Sequence, residues 1–318
     1  MPNIDNSLAF LFPGQGSQSI GMLADLAAAH PVVGETFAEA SEVLGFDLWR
    51  LVQEGPEEEL NQTINTQPAM LAAGVATWRI WCKATERRPA WMAGHSLGEY
   101  SALVAAGALG FADAVKLVAL RGRLMQEAVP PGDGAMAAIL GLDDPQVVAA
   151  CKEASMQDSV VTPANFNAPG QVVIAGASQA VERAIAAAKA LGAKRAVLLP
   201  VSVPSHCALM APAAEKFAAV LSETPFDSPR DRIGVVHNVD VAMHPSPEVI
   251  RAVLAQQISH PVRWSETIRF LSDQGVRRFV ECGPGKVLAG LNKRIVSGEA
   301  TLAVADQDSL NKALESIR

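Results

Sequence analysis

The chain carries no excess of positive charge, few cysteines and no long apolar run, and each shortage excludes something. It has 26 Lys and Arg against 33 Asp and Glu, so its formal net charge is −7 and no global basic field exists to gather phosphate backbones. Nucleic acid is therefore excluded as a partner. The four cysteines, Cys82, Cys151, Cys207 and Cys282, stand far apart, without the paired spacings of a zinc site, and read as reduced, mostly buried thiols. No metal is expected. Apolar stretches such as Ser101 to Ala112 stop short of the about 20 residues that a bilayer span requires, and the opening MPNIDNSLAF lacks a basic segment followed by an apolar one. The expectation is a soluble, cytoplasmic protein with no membrane partner. Two glycine-rich turns also fall short of nucleotide sites: PGQGSQSIG lacks the third glycine of a dinucleotide turn, and CGPGKV lacks the full phosphate-loop pattern with its Ser or Thr.

What is present is a folded enzyme's composition, 49% hydrophobic and 19% charged, over 318 residues. That length exceeds what one hydrophobic core comfortably organises, which suits a large core with a smaller inserted unit. Strand-like runs repeatedly enter a glycine-bearing turn and then a helical pattern: Leu8 to Phe12 into PGQGSQ, RPAWMAGHS into LGEYSALVAAGAL, and Arg278 to Glu281 into CGPG and a helix over Lys286 to Ile295. Such units predict a parallel sheet covered on both faces. After VPPGDG the rhythm changes. AMAAILGL reads as a strand, PQVVAACKEAS as a helix, Ser159 to Asn165 and Gln171 to Ala175 as strands about an NAPG turn, SQAVERAIAAAKALG as a helix and AKRAVLLPV as a strand. That order is β-α-β-β-α-β, the ferredoxin-like pattern. The fold class is thus α/β, with a core of residues 1–129 and 204–318 and a ferredoxin-like subdomain of residues 130–203. No internal repeat or low-complexity tract appears.

Within the second strand–turn–helix unit lies Gly94-His95-Ser96-Leu97-Gly98. A serine in a strained turn between strand and helix, flanked at two-residue spacing by glycines that leave room for neighbouring backbone, is the signature of a nucleophile elbow. The N–H of Leu97 then points from a helix N-terminus toward any negative charge forming beside Ser96. A serine hydroxyl needs a base within hydrogen-bond reach. Of the six histidines, His30, His237, His244 and His260 each have an ordinary structural explanation, and His95 points to the opposite face from its neighbour Ser96. His206, in VSVPSHCALM, follows the last strand of the insertion where the chain re-enters the core. It is either the base or a structural histidine.

Arg121 occupies the middle of an apolar stripe, residues 114, 117, 118, 124, 125 and 128, on a helix expected over Ala112 to Ala128. A buried guanidinium needs an anion. That anion is either a buried Asp or Glu of the core or the carboxylate of a substrate, which arginine can grip in bidentate geometry.

Taken together, FPGQGSQ, TQPA, GHSLGEYSA, RGRLMQ, NFNAPGQVVIAG, VPSHCALM and ECGPGKVL make the chain resemble, over nearly all its length, the bacterial malonyl-CoA:acyl carrier protein transacylases. The resemblance implies an α/β-hydrolase-like core with a ferredoxin-like insertion, Ser96 as nucleophile, His206 as base and Arg121 as clamp for the malonyl carboxylate. It further implies that the Gln15 N–H joins that of Leu97 around the oxyanion, that the Gln257 main-chain carbonyl orients the histidine, and that Asn165 and Asn167 lie near the acyl pocket. Malonyl-CoA and an acidic acyl carrier protein are then the partners, no metal or redox cofactor is needed, and a monomer is expected. The tetrad VPSH at residues 203–206 is that of stand-alone enzymes. A polyketide pathway, a serine thioesterase or hydrolase, and a non-catalytic carrier-binding module are the competing readings. Lys286, Lys293 and Arg294 are the candidate cations for carrier-protein docking.

Overall fold

The computed structural model describes residues 3–201 and 203–317. Nine strands are described: β1 (Asn3–Phe12), β2 (Arg87–Gly94), β3 (Gly134–Leu140), β4 (Val161–Ala168), β5 (Gln171–Ala177), β6 (Arg195–Leu198), β7 (Gly234–Val236), β8 (Arg278–Cys282) and β9 (Ala300–Val304). They form two sheets. In the larger, ordered β7-β2-β1-β8-β9, every neighbouring pair is parallel.

The alternation along β1 shows how that sheet is buried on both sides. Leu8, Phe10 and Phe12 pack into one hydrophobic cluster, and Ala9 and Leu11 into another on the opposite face. Because successive side chains point to opposite faces and both are covered, the strand reads as the unbroken apolar run LAFLF. The long helix Thr63–Ala84 and the helix Phe111–Glu127 cover the first face, and Trp264–Asp273 and Val287–Ile295 contribute to the second.

The smaller sheet, ordered β4-β5-β3-β6, is antiparallel throughout. Ala137 and Ile139 of β3 and Val172 and Ile174 of β5 face the helices Asp144–Ala154 and Ser178–Ala190. Their alternates Met136, Val173 and Ala175 turn the other way, toward Cys207 and Leu199. One face of this sheet thus forms its own core and the other is available to wall a cleft.

Local departures from the sequence reading are small and have physical causes. Ser159 belongs to a tight bridge with Met156, so β4 starts at Val161 rather than Ser159. The strand expected over AKRAVLLPV forms ladder pairs only at Arg195–Leu198. The helix after the serine turn ends at Ala105, followed by Gly107 in the left-handed region at φ 71°. The edge strand β9, between the helices Val287–Ile295 and Gln307–Ser316, is one that sequence reading did not single out. No helix among the described residues is long and apolar enough to cross a membrane.

Candidate active site

β2 ends at Gly94 and the helix Gly98–Ala105 begins three residues after His95, so Ser96 sits at the sharpest point of the connection. Its φ is 52°, in the left-handed region that side chains rarely adopt. The flanking glycines make the turn possible by leaving space. A Cβ at Gly94 would stand 1.8 Å from the Gly98 carbonyl carbon, and one at Gly98 would stand 2.0 Å from the Phe12 carbonyl oxygen. Asn238, just past β7, braces the turn from behind: its Oδ1 accepts the Ser96 N–H at 2.7 Å and its Nδ2 donates to the Gly94 carbonyl at 2.7 Å.

The Ser96 hydroxyl lies 2.7 Å from Nε2 of His206. The other ring nitrogen of His206, Nδ1, faces two main-chain carbonyls, that of Gln257 at 2.8 Å and that of His260 at 3.2 Å. Carbonyl oxygens only accept, so Nδ1 carries the proton and Nε2 is left as the acceptor for Ser96 Oγ–H. His206 also has a left-handed backbone, at φ 62°, directly after the proline-containing turn. The ring is buried. Burial, reinforced by the nearby Arg121 guanidinium, lowers its pKa to about 3.

Arg121 projects from the helix Phe111–Glu127 and is 1% exposed. It donates from Nη1 to Gln67 Oε1 at 2.8 Å, and from Nη2 to Gln257 Oε1 at 3.0 Å and Ser96 Oγ at 3.1 Å. Its Nε has no partner among the described residues. Among the described residues no carboxylate comes within the 4.0 Å of an ion pair with it, so of the two readings of Arg121 the structural ion pair has no partner to support it. Burial pulls its pKa below the usual guanidinium value. The cation is held by neutral amides and a hydroxyl.

These groups open onto one cavity of about 230 Å³, which is also lined by Gln15, Leu97, Asn165 and Asn167. The main-chain N–H groups of Gln15 and Leu97 are not spent on protein acceptors among the described residues. Asn167 Oδ1 accepts from His95 Nε2 at 2.8 Å, so His95 is part of the pocket wall. Burial lowers the His95 pKa as well. Asn165 Oδ1 is buried without a partner among the described residues. All eight site residues expected from sequence therefore meet at this cavity or, for Gln257, immediately behind it. Met136 and Val173 supply the wall from the smaller sheet.

Sequence reasoning missed Gln67, Asn238 and Glu99. Glu99 is fully buried one turn beyond Ser96, and its carboxylate accepts from His237 Nδ1 at 2.7 Å, Asn238 N at 3.0 Å and Gln257 Nε2 at 2.8 Å. The single charge in the otherwise uncharged helix GEYSALVA was the available signal. Of the docking candidates, Lys286, Lys293 and Arg294 are all exposed, but Arg294 is engaged, donating to Gln171 Oε1 at 2.6 Å and the Pro169 carbonyl at 2.9 Å.

Comparison with known proteins adds a family. Residues 9–306 match the acyl transferase domain. The malonyl CoA-acyl carrier protein transacylase of Escherichia coli K12 is 58% identical over 307 residues, 96% of this chain and 98% of that protein. The crystal structure of an acyl carrier protein S-malonyltransferase from Vibrio cholerae superposes with a TM-score of 0.94 at 58% identity, covering 96% of this chain and 99% of the other. A malonyl-transacylase solved in complex with its type II PKS acyl-carrier protein superposes with a TM-score of 0.95 at 60% identity, covering 98% and 99%.

Proposed function

The chain belongs to the acyl transferase domain family, and from that membership and the site we infer that it transfers a malonyl group from malonyl-CoA to the phosphopantetheine thiol of acyl carrier protein, in fatty acid biosynthesis. The observation that carries the mechanism is that one atom, Ser96 Oγ, lies within hydrogen-bond reach of both the His206 base nitrogen and the Arg121 guanidinium. A nucleophile, its base and a cation without a carboxylate partner converge where an acyl group with a terminal carboxylate would sit.

In the proposed first half-reaction His206 Nε2 takes the proton from Ser96 Oγ as the oxygen attacks the thioester carbonyl. The carbonyl oxygen becomes an oxyanion, met by the N–H groups of Gln15 and Leu97. Collapse breaks the carbon–sulfur bond, and the coenzyme A thiolate leaves with the proton from His206. The malonyl ester on Ser96 is attacked in turn by the carrier thiol, whose proton His206 accepts and returns to Ser96. Arg121 holds the malonyl carboxylate throughout, while Asn165 and Asn167 border the acyl group. No metal or redox cofactor is assigned. Residues 1–129 and 204–318 form the catalytic core in this reading and residues 130–203 the inserted subdomain. A cytoplasmic monomer suits the chemistry.

Intact-mass measurement tests the inference. Mixing with malonyl-CoA should add one malonyl group, and holo acyl carrier protein should then remove it. A malonyl adduct lost to water as fast as to the carrier thiol would make the protein a thioesterase instead.

A further inference from the structure

Behind the reacting atoms, two buried charges of opposite sign face each other through a single amide. The Gln257 side chain is fully buried. Its Nε2 donates to Glu99 Oε2 at 2.8 Å and to the Ser96 carbonyl at 3.0 Å, while its Oε1 accepts from Arg121 Nη2 at 3.0 Å. An amide that meets two acceptors on one side and a donor on the other has one satisfying orientation. Turning it over would set its N–H against the guanidinium and its oxygen against the carboxylate. Glu99 is itself fixed, because its two oxygens also receive His237 Nδ1–H and the Asn238 N–H.

Resting on the reading of Arg121 as the malonyl clamp, we propose that Glu99 is a positioning residue for malonyl selectivity: by fixing the Gln257 amide it aims Arg121 at Ser96 Oγ without capturing the cation in a direct ion pair. A carboxylate in contact with the guanidinium would occupy the place the substrate's carboxylate must take. A neutral oxygen holds the guanidinium's direction and leaves its charge unmatched. The interposed amide therefore does two things that a direct Glu–Arg pair could not do together. The role belongs to the Gln257 side chain and is separate from its main-chain carbonyl, which faces His206 Nδ1.

The test compares second-order rates of Ser96 acylation by malonyl-CoA and by acetyl-CoA, read by intact mass, with a melting curve for each variant. Glu99→Ala removes the charged one of the two acceptors that orient the amide, leaving only the Ser96 carbonyl, and the malonyl-to-acetyl rate ratio should fall about tenfold or more, chiefly through KM for malonyl-CoA. Glu99→Gln keeps an oxygen for Asn238 N–H and Gln257 Nε2, and should restore most of the ratio. Gln257→Leu removes the middle of the relay while leaving the Glu99 contacts to His237 and Asn238, and decides the matter if Glu99→Ala does not fold; its ratio should fall likewise. Arg121→Ala runs in parallel. A ratio within threefold of the parent in Glu99→Ala or Gln257→Leu, alongside a collapse in Arg121→Ala, overturns the relay and leaves the clamp standing. Equal losses for both thioesters would reduce Glu99 to a structural residue. A ratio untouched by Arg121→Ala would instead overturn the clamp itself.

Discussion

His206 presents its Nδ1–H to the main-chain oxygen of Gln257 at 2.8 Å, and among the described residues no carboxylate shares the ring. A carbonyl fixes the tautomer as a carboxylate would, but it offers no full negative charge to stabilise an imidazolium. The base is thus well oriented and weakly basic, which favours accepting a proton only as the serine–carbonyl bond forms.

Removing either partner of this pair should act on chemistry rather than on folding. Ser96→Ala should abolish the covalent malonyl adduct, and His206→Ala should slow acylation by roughly 10² to 10⁴, the range for a positioned general base. Cys207→Ser is the control: its buried thiol has its pKa raised to about 11 and donates to the Pro204 carbonyl, so it contributes no thiolate. An adduct that survived in the serine variant, detected by peptide mapping, would reassign the nucleophile.

Arg121→Ala deprives the substrate carboxylate of a charge-assisted partner in a buried site, a loss of about 3 to 5 kcal/mol once that carboxylate is left unpaired. Malonyl transfer should fall roughly 10² to 10³ or more. Acetyl-CoA has no carboxylate to lose its partner, so kcat/KM for acetyl transfer should fall much less. Parallel losses with a lowered melting temperature would mark a structural arginine.

The pH dependence should betray the depressed base. Neutral His206 is the active form, and with its pKa lowered to about 3 by burial and by Arg121, that form persists well below the ordinary range. Acylation by acetyl-CoA, which brings no ionisable carboxylate, should keep kcat/KM nearly flat from about pH 8 to 5.5. A histidine titrating near its usual value of about 6.5 would lose about nine-tenths of its activity by then. A midpoint between pH 6 and 7 would show that the ring is more hydrated than its burial implies.

Glu281 makes a separate stability prediction. Its carboxylate is buried at the end of β8 and accepts the N–H groups of Leu288 and Ala289 at 3.1 and 2.8 Å, yet burial raises its pKa from 4.5 to about 7. The folded state then holds a proton that the unfolded chain has released between those values. Stability from this group is full below about pH 4.5 and is lost as pH rises through 7. Glu281→Gln has no proton to lose, so its melting temperature relative to the parent should climb from pH 5 to pH 8. A constant difference would show that Glu281 does not titrate there.

Much of this architecture was legible in the chain. The repeated strand–turn–helix units, the β-α-β-β-α-β segment, the serine between spaced glycines and the arginine on an apolar stripe are all local patterns, set by side-chain periodicity and backbone space over a few residues. Where pairing energy rather than propensity sets an end, as at Ser159 and after Leu198, the boundaries slipped.

The sequence by itself determined the elbow at Ser96, the helix that carries Arg121 and the class of the fold, because each follows from contacts among near neighbours. Only the tertiary structure decided between the base and the structural histidine at His206, since Ser96 and His206 are 110 residues apart and no local pattern joins them. Only it decided that Arg121 rests on neutral groups, or that Glu99, His237, Asn238 and Gln257 interlock behind the nucleophile across 138 to 161 residues of chain. Hydrogen bonds depend on distances of tenths of an ångström between elements brought together by the burial of β1 and its neighbours, and no local pattern encodes which polar groups that burial will leave face to face.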